Sequence, residues 1–563
     1  MRNTGRLTRS ACATSGDKAV QDLMPLVVAL PLAGGFLAPA LGRVTGSGRW
    51  AAALPLAVAA AVLVLVLAMQ GRGDEAAVLW MGGWKFPVGI SLYADGLTRL
   101  VLLVIAVIGL LALVFSMDYM RQYTSPSLYY GLFLLMLAGM NGVVISGDLF
   151  NIFVFVEIAG LASYALVAFG TEADELEASL KYLALGAVAS TFILVGIAIV
   201  YNVTGQLNWA KIAQAVQGAG GPSLPLAVAL AFFLMGFGLK AAMVPFHAWL
   251  PDAHPAAPAP ISAMLSGVLI KACGVYAVAR IVFSVFGATE TFGWVLAVMG
   301  VASMALGSLL MLVQADFKRL LAYSSIGQMG YVVLALGAAA VMQARGVSEA
   351  VVALAVFGGL FHLVNHAIFK SLLFLCSGSV EYATGTRQLK ELGGLGARMP
   401  VTGACLRVAA LSISGVPPLN GFWSKLVIIL ALVLGGFYTL AAIAAAVSVV
   451  TLVSFARVQR YVLGGAATAA AERAREVPAG MGLATVALAT LCVASSLVML
   501  PSVRGVLVDP AVRVVQAGLG RRAPQAAPVA DVARPACPAV SGAGAPEPRL
   551  DKPAVPHPVP PAE

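Results

Sequence analysis

The sequence predicts an all-α polytopic membrane protein, and three observations carry that prediction. Of its residues 60% are hydrophobic and only 11% charged, with a mean hydropathy of +0.92, whereas a soluble globular chain carries roughly a quarter charged residues. Apolar stretches of about 20 residues, the length that crosses a bilayer core of about 30 Å, recur from Leu23 to Pro501 with short polar breaks. The loops between them are too short to fold alone, so successive helices must pack into one membrane domain.

About fourteen spans are expected, at roughly 23–42, 51–70, 93–117, 128–147, 148–169, 177–203, 223–250, 259–287, 291–313, 319–342, 348–378, 401–430, 433–461 and 481–501. A polar extension, 1–22, precedes them. Its Arg2, Arg6, Arg9 and Lys18 resemble the start of a signal peptide, but no small-residue cleavage site follows and further spans do, so a retained first helix is expected. Between the second and third spans, Val78 to Tyr93 alternates aromatic and small residues around Gly82-Gly83 and Pro87-Val88-Gly89, which suits a short surface hairpin. The segment WAKIAQAV after Asn208 is an amphipathic surface helix in expectation, with Trp209 and Lys211 at the membrane interface. The last stretch, 502–563, is rich in proline and alanine. It is expected to be a disordered tail, with room for a short surface helix at its start.

The formal net charge of +10 does not indicate nucleic acid, because the basic residues sit singly in loops and at helix ends. Arg43, Arg49, Arg121, Lys318, Arg319, Arg387, Lys390, Arg398, Arg457, Arg460, Arg473 and Arg475 all fall in alternate loops, and the opposite loops hold chiefly Arg72, Lys85, Lys211 and Arg345. By the positive-inside rule the first set faces the cytoplasm and both termini lie outside it. The six cysteines are scattered, without CxxC or zinc-finger spacing, so neither a metal nor a cofactor is expected.

An ionisable side chain at the bilayer centre costs about 2.5–3.5 kcal/mol on insertion scales, so each one needs a partner, an aqueous cavity or a function. Glu157 falls in the fifth span, Lys240 in the seventh, Lys271 in the eighth, His362, His366 and Lys370 in the eleventh and Lys425 in the twelfth. Positions 362, 366 and 370 lie along one helical stripe, giving a chain of titratable groups. A carboxylate such as Glu157 near Lys240 would favour the charged lysine. Separating the two would leave the ammonium uncompensated and release its proton. The alternative for each residue alone is a snorkelling lysine or a histidine hydrogen-bonded within the bundle, but the set together argues for ion conduction. Two spans are interrupted near these lysines, at Met243-Val244-Pro245-Phe246 and at Gly415-Val416-Pro417-Pro418. Discontinuous helices recurring in two halves of a transporter mark ion sites at the midplane. Two inverted five-helix repeats, about 128–287 and 291–461, are therefore expected inside the domain 23–501.

The segments GDLFNIFVFVEIAGLASYAL, ASLKYLALGAVAS, LKAAMVPFHAWLPDAHPAAPAPISAMLSGVLIKACGVY, ADFKRLLAYSSIGQMGY, HLVNHAIFKSLLFLCSGSV and SGVPPLNGFWSKL resemble the antiporter-like family shared by the membrane arm of respiratory complex I, membrane-bound hydrogenases and multisubunit Mrp cation/proton antiporters. The resemblance spans about residues 90 to 460. It implies that Glu157 and Lys240 form an ion pair, that Lys271 and His366 are a central relay extended by His362 and Lys370, and that Lys425 is the terminal lysine on the second broken helix. It further implies other membrane subunits as partners, protons and sodium or potassium as cargo, and a bacterial or archaeal plasma membrane. The fifth and sixth spans look most like the D subunit of Mrp antiporters, while WLPDAHPAAPAP also occurs in hydrogenase- and complex I-like relatives, so a redox-driven pump is the alternative parent. Lys425 departs from complex I paralogues with glutamate there, and the end of the chain after span 14 departs from the largest subunit type.

Overall fold

The computed structural model describes residues 21–520 apart from 46–47, 71–75, 85–87, 220 and 288. In chain order it contains α1 (Leu26–Thr45), α2 (Gly48–Ala68), the strands β1 (Ala77–Trp80) and β2 (Ser91–Ala94), then α3 (Gly96–Tyr119), α4 (Pro126–Ile145), α5 (Leu149–Val167), α6 (Ala173–Thr204), α7 (Trp209–Gly218), α8 (Leu224–Lys240) and α9 (Leu250–Ala256). There follow α10 (Ala259–Phe286), α11 (Glu290–Leu312), α12 (Phe317–Ala344), α13 (Glu349–Thr384), α14 (Pro400–Ser414), α15 (Asn420–Leu434), α16 (Tyr438–Val462), α17 (Ala479–Ala494), α18 (Pro501–Leu507) and α19 (Asp509–Leu519). Eleven of the described helices are long and apolar enough to cross a membrane. The three other expected spans coincide with α2 and with the interrupted segments α8–α9 and α14–α15, whose apolar helices are shorter. The polar extension lies outside the described residues save for 21–22, as does the tail beyond residue 520.

Cross-links between loops define two faces. On one, β1 and β2 form an antiparallel hairpin, Asp148 bridges to Asn208, and Gln516 Nε2 donates to the Glu349 carbonyl at 3.1 Å. On the other, Asp316 bridges to Gln388 and the Phe317 N–H donates to the Arg387 carbonyl at 3.0 Å. The second face carries Arg121, Lys318, Arg319, Arg387 and Arg398 and is called the basic face below.

Several starts and stops follow from capping. Asp95, Asp148, Asn208 and Asp316 accept the first free N–H groups of α3, α5, α7 and α12. Gly385 and Gly415, both left-handed (φ 73° and 78°), close α13 and α14. The α11 and α12 backbones meet because glycines line the seam: a Cβ on Gly300 would lie 2.5 Å from the Leu334 nitrogen, and one on Gly307 2.5 Å from the Gly327 nitrogen. Without a hydrophobic drive in lipid, such small-residue contacts are what draw helices together.

One sequence expectation needs correction. Trp209 does not face an interface. It is 2% exposed, edge-on to Tyr93 with ring centroids 4.6 Å apart, and beneath the Arg280 guanidinium at 5.1 Å. Where the sequence leaves room for a short helix at the start of the tail, α18 and α19 occupy 501–519. In α19, Val512, Val515 and Leu519 recur at helical spacing and are buried, and Pro510 abuts Gly96.

Among the described residues, the most deeply buried ion pair lies on the hairpin side of the bundle. Arg280 on α10 donates to both oxygens of Asp95 at 2.6 and 2.9 Å, and to Thr98 Oγ1 at 3.1 Å, with both members of the ion pair 2% exposed. Tyr276 donates to the Val144 carbonyl at 2.6 Å and so ties α4 into the same cluster. Asp95→Asn would leave the guanidinium buried without its countercharge. It should cost about 3–5 kcal/mol of stability, read as a lowered unfolding midpoint of the purified protein in detergent, and an unchanged midpoint would contradict this account of the cluster.

Candidate functional site

Each interrupted span stops beside a buried lysine. α8 ends at Lys240, and irregular backbone runs to Trp249 before α9 resumes. Freed backbone groups must find partners inside the bundle, because lipid offers none. The Val244 N–H donates to Ser303 Oγ at 3.0 Å and Trp249 Nε1 donates to the Leu239 carbonyl at 2.9 Å. Ala242 holds φ 53°, a left-handed conformation costing of order 1–3 kcal/mol in a residue with a Cβ. α14 stops at Gly415, and α15 begins at Asn420. There Trp423 Nε1 donates to the Pro418 carbonyl at 3.1 Å, joined by Ser496 Oγ at 3.1 Å. Each break also contains a cis proline bond, Val244–Pro245 and Pro417–Pro418. The two spans run in opposite senses, α8 from the hairpin face inward and α14 from the basic face inward.

Around the first break, Lys240 Nζ lies 3.8 Å from Glu157 Oε1 and donates to Tyr164 Oη at 3.1 Å. Ser190 Oγ on α6 donates to the same Glu157 oxygen and also to the Gly186 carbonyl. The pair is asymmetric: the Lys240 side chain is 5% exposed and that of Glu157 32%, so the carboxylate looks outward from the bundle and the ammonium inward. α10 passes close behind, since a Cβ on Gly274 would sit 2.6 Å from Ala241. Its wide, π-helical turns at Leu265–Leu269 and Lys271–Tyr276 are the kind of irregularity that gathers at functional sites.

Further in, Lys271 Nζ donates to the Ser266 carbonyl at 2.6 Å, and Ser266 Oγ meets Ser325 Oγ on α12 at 2.7 Å. Lys370 on α13 donates to the Leu321 carbonyl at 2.6 Å and to Ser324 Oγ. His366 is fully buried, and neither of its ring nitrogens meets a hydrogen-bond partner among the described residues. The titratable groups that act on it are Lys271, Lys370, His362 and Lys425. His362 Nδ1 lies 2.9 Å from Ser424 Oγ, one residue before Lys425, whose Nζ donates to the Ile413 carbonyl at 2.8 Å and sits 5.2 Å from the Tyr331 ring centre. The seven sequence-predicted groups thus fall into an ion pair at one end, a central cluster on α10 and α13, and a lysine at the second break. Lys271, Lys370 and Lys425 are held by carbonyls, a hydroxyl and an aromatic face. A neutral amine keeps N–H donors for those carbonyls, so a proton can leave without orphaning a buried acceptor. Among the described residues no group of three or more His, Cys, Asp or Glu is placed to hold a metal ion.

The sequence reading missed several polar groups. Tyr164 and Ser190, which complete the surroundings of Glu157 and Lys240, read as ordinary span residues. Lys318, assigned to a loop, is 2% exposed and paired with Glu381 at 2.7 Å. His254 on α9 is fully buried against Phe374. One signal was available: Glu381 follows Lys370 by eleven residues, about three helical turns, on the stripe that already held His362, His366 and Lys370.

Tyr164→Phe removes a hydrogen bond to a charged donor, worth about 1.5–3 kcal/mol. Gly186→Ala should act in the same direction, because its Cβ would overlap Tyr164 Oη. Both should lower the unfolding midpoint in detergent. A Phe variant as stable as the parent protein would remove Tyr164 from the lysine's support.

A model of the NADH:quinone oxidoreductase/Mrp antiporter transmembrane region matches residues 146–451, and one of the N-terminus of complex I chain 5 matches residues 80–130. The chain is 37% identical over 415 residues to the N subunit of the NADH-quinone oxidoreductase of Desulforudis audaxviator, covering 71% of this chain and 78% of that one. It is 36% identical over 392 residues to the D subunit of the Na(+)/H(+) antiporter of Alkalihalophilus pseudofirmus, covering 69% and 76%. The fold matches a chain of the Mrp complex from Dietzia sp. DQ12-45-1b with a TM-score of 0.78 at 28% identity, over 89% of this chain and all of that one. Sequence and fold agree that the chain belongs to the NADH:quinone oxidoreductase/Mrp antiporter family.

Proposed function

We propose that this chain is the proton-translocating subunit of a multisubunit monovalent cation/proton antiporter, of the D type found in Mrp systems, in the plasma membrane of a bacterial or archaeal cell. The observation that carries the reading is the Glu157–Lys240 pair at the end of an interrupted helix, because it couples the charge of a buried amine to the position of an outward-looking carboxylate. Protons pass along Glu157, Lys240, Lys271, His366 and Lys425, with His362 and Lys370 extending the central cluster. When Glu157 is drawn from Lys240, the ammonium loses its compensation in a low-dielectric interior and gives up its proton. When the pair reforms, Lys240 is recharged. The work is transport without covalent chemistry. The basic face is cytoplasmic in this reading by its arginine and lysine content, and the opposed breaks support two inverted repeats, about 128–287 and 291–461.

A second reading is favoured by the likeness to the N subunit of an NADH-quinone oxidoreductase: the same relay acting as the proton pump of a complex I-like or hydrogenase-like assembly, with the electron carriers on other polypeptides. Both readings place other membrane subunits beside this chain, and both use protons; the antiporter reading adds sodium or potassium.

Glu157→Gln and Lys240→Ala should abolish ion movement in vesicles while leaving the protein at near-normal abundance in the membrane. Normal flux in either variant would sink the relay.

A further inference from the structure

None of the relay residues lies at the basic face, and that face holds a polar cluster that none of them uses. Lys318, on the first turn of α12, is buried, yet its Nζ pairs with Glu381 Oε2 at 2.7 Å and donates to the Ala257 carbonyl at 3.2 Å, in the turn between α9 and α10. Glu381, near the end of α13, is 25% exposed, so one side of its carboxylate reaches water and the other holds a buried ammonium. Arg387 approaches the other oxygen at 3.6 Å and is itself anchored on Asp316 and on the Pro255 carbonyl. Among the described residues, the other titratable groups facing this pair are Tyr119 and Tyr123 toward Glu381 and Glu175 toward Lys318.

His254 stands at the same turn: the carbonyls of Pro255 and Ala257, which follow it, take Arg387 and Lys318. Its ring is fully buried, and neither nitrogen meets a partner among the described residues. The ring packs on Phe374 with centroids 4.6 Å apart, and Lys370 Nζ sits 5.4 Å from the centre of that same Phe374 ring, so His254 links the Lys318 end to a relay lysine. α12 continues the same line: its Leu321 carbonyl and Ser324 hydroxyl hold Lys370, and its Ser325 meets Ser266, whose carbonyl holds Lys271. A buried lysine, a half-wet carboxylate and an unpartnered imidazole in this order are more than a stabilising ion pair requires, since a pair at a helix end could have faced solvent at no desolvation cost.

We propose that Glu381 and Lys318 form the mouth through which protons enter the relay from water on the basic face, with His254 as the first buried acceptor. This rests on the relay reading above. The step balances as a proton hop. The Glu381 carboxylate takes a proton from water and no longer holds the Lys318 ammonium. Lys318 passes its proton to a ring nitrogen of His254, and the resulting amine takes the proton from Glu381, restoring the pair. One proton leaves the water and one arrives on the imidazole.

The test is proton flux through the intact complex, purified and reconstituted in phospholipid vesicles, with complex abundance measured beside it and Glu157→Gln run in parallel. Glu381→Gln should lower flux by about tenfold or more, a modest loss for a removed proton-transfer group, and Glu381→Asp, which keeps a titratable carboxylate, should recover at least half of it. Should Glu381→Gln fail to assemble, the double variant Glu381→Gln, Lys318→Gln takes its place with the same expected loss, since paired amides fill the site without charge. Flux above half of the parent value in the Gln variant, while Glu157→Gln has lost its own, overturns the mouth and leaves the relay standing. Full flux in both variants overturns the relay and the mouth together.

Discussion

The contact between Glu157 and Lys240 sets the terms for the rest of the molecule. A single charge at the centre of a bilayer costs about 2.5–3.5 kcal/mol, so a buried ammonium must be compensated, hydrated or neutral. At 3.8 Å from a carboxylate that is itself a third exposed, Lys240 is compensated by a partner lying at the edge of the bundle. Its state is therefore tied to whatever moves that edge. The tyrosine and serine around the pair, Tyr164 and Ser190, hold the two groups in place without adding charge, and a small change in separation thus has a large electrostatic effect in this low-dielectric setting.

The broken helices make such a site tolerable in lipid. An indole donates to a backbone carbonyl at each break: Trp249 to Leu239 near the end of α8, and Trp423 to Pro418 between α14 and α15. At the second break Lys425 takes the Ile413 carbonyl as well. The left-handed Ala242 and the wide turns of α10 lie within the same region, where backbone irregularity is tolerated because it is enclosed by protein. Helices α11 and α12, by contrast, are zipped by glycine contacts, giving a rigid wall against which the central cluster on α10 and α13 is held.

Much of this was legible in the chain. Hydropathy gave the spans because each must be apolar for about 20 residues, proline and glycine marked both interruptions, and the four-residue spacing of His362, His366 and Lys370 put them on one stripe. What stayed hidden depended on tertiary contact. Lys318 reads as a loop charge because it sits at a helix start, and only the packing of α13 and the α9–α10 turn buries it. Asp95 and Arg280 are 185 residues apart, and nothing local announces that they meet. Trp209 has the sequence setting of an interface anchor, but the guanidinium of Arg280 draws it inward. The sequence leaves room for a short helix at the start of the tail but does not announce its burial, which comes from tertiary contact: Val512, Val515 and Leu519 of α19 are buried, and Pro510 abuts Gly96.

Whether these buried charges carry protons for a cation exchanger is decided by isolating the tagged protein in mild detergent, identifying its bound subunits by mass spectrometry and measuring proton flux of the same preparation in vesicles. Small hydrophobic subunits without redox centres, and a proton flux that requires sodium or potassium, are expected. Iron–sulfur, flavin or hydrogenase subunits, with flux that follows electron transfer and ignores the monovalent cation, would contradict the cation-exchanger reading.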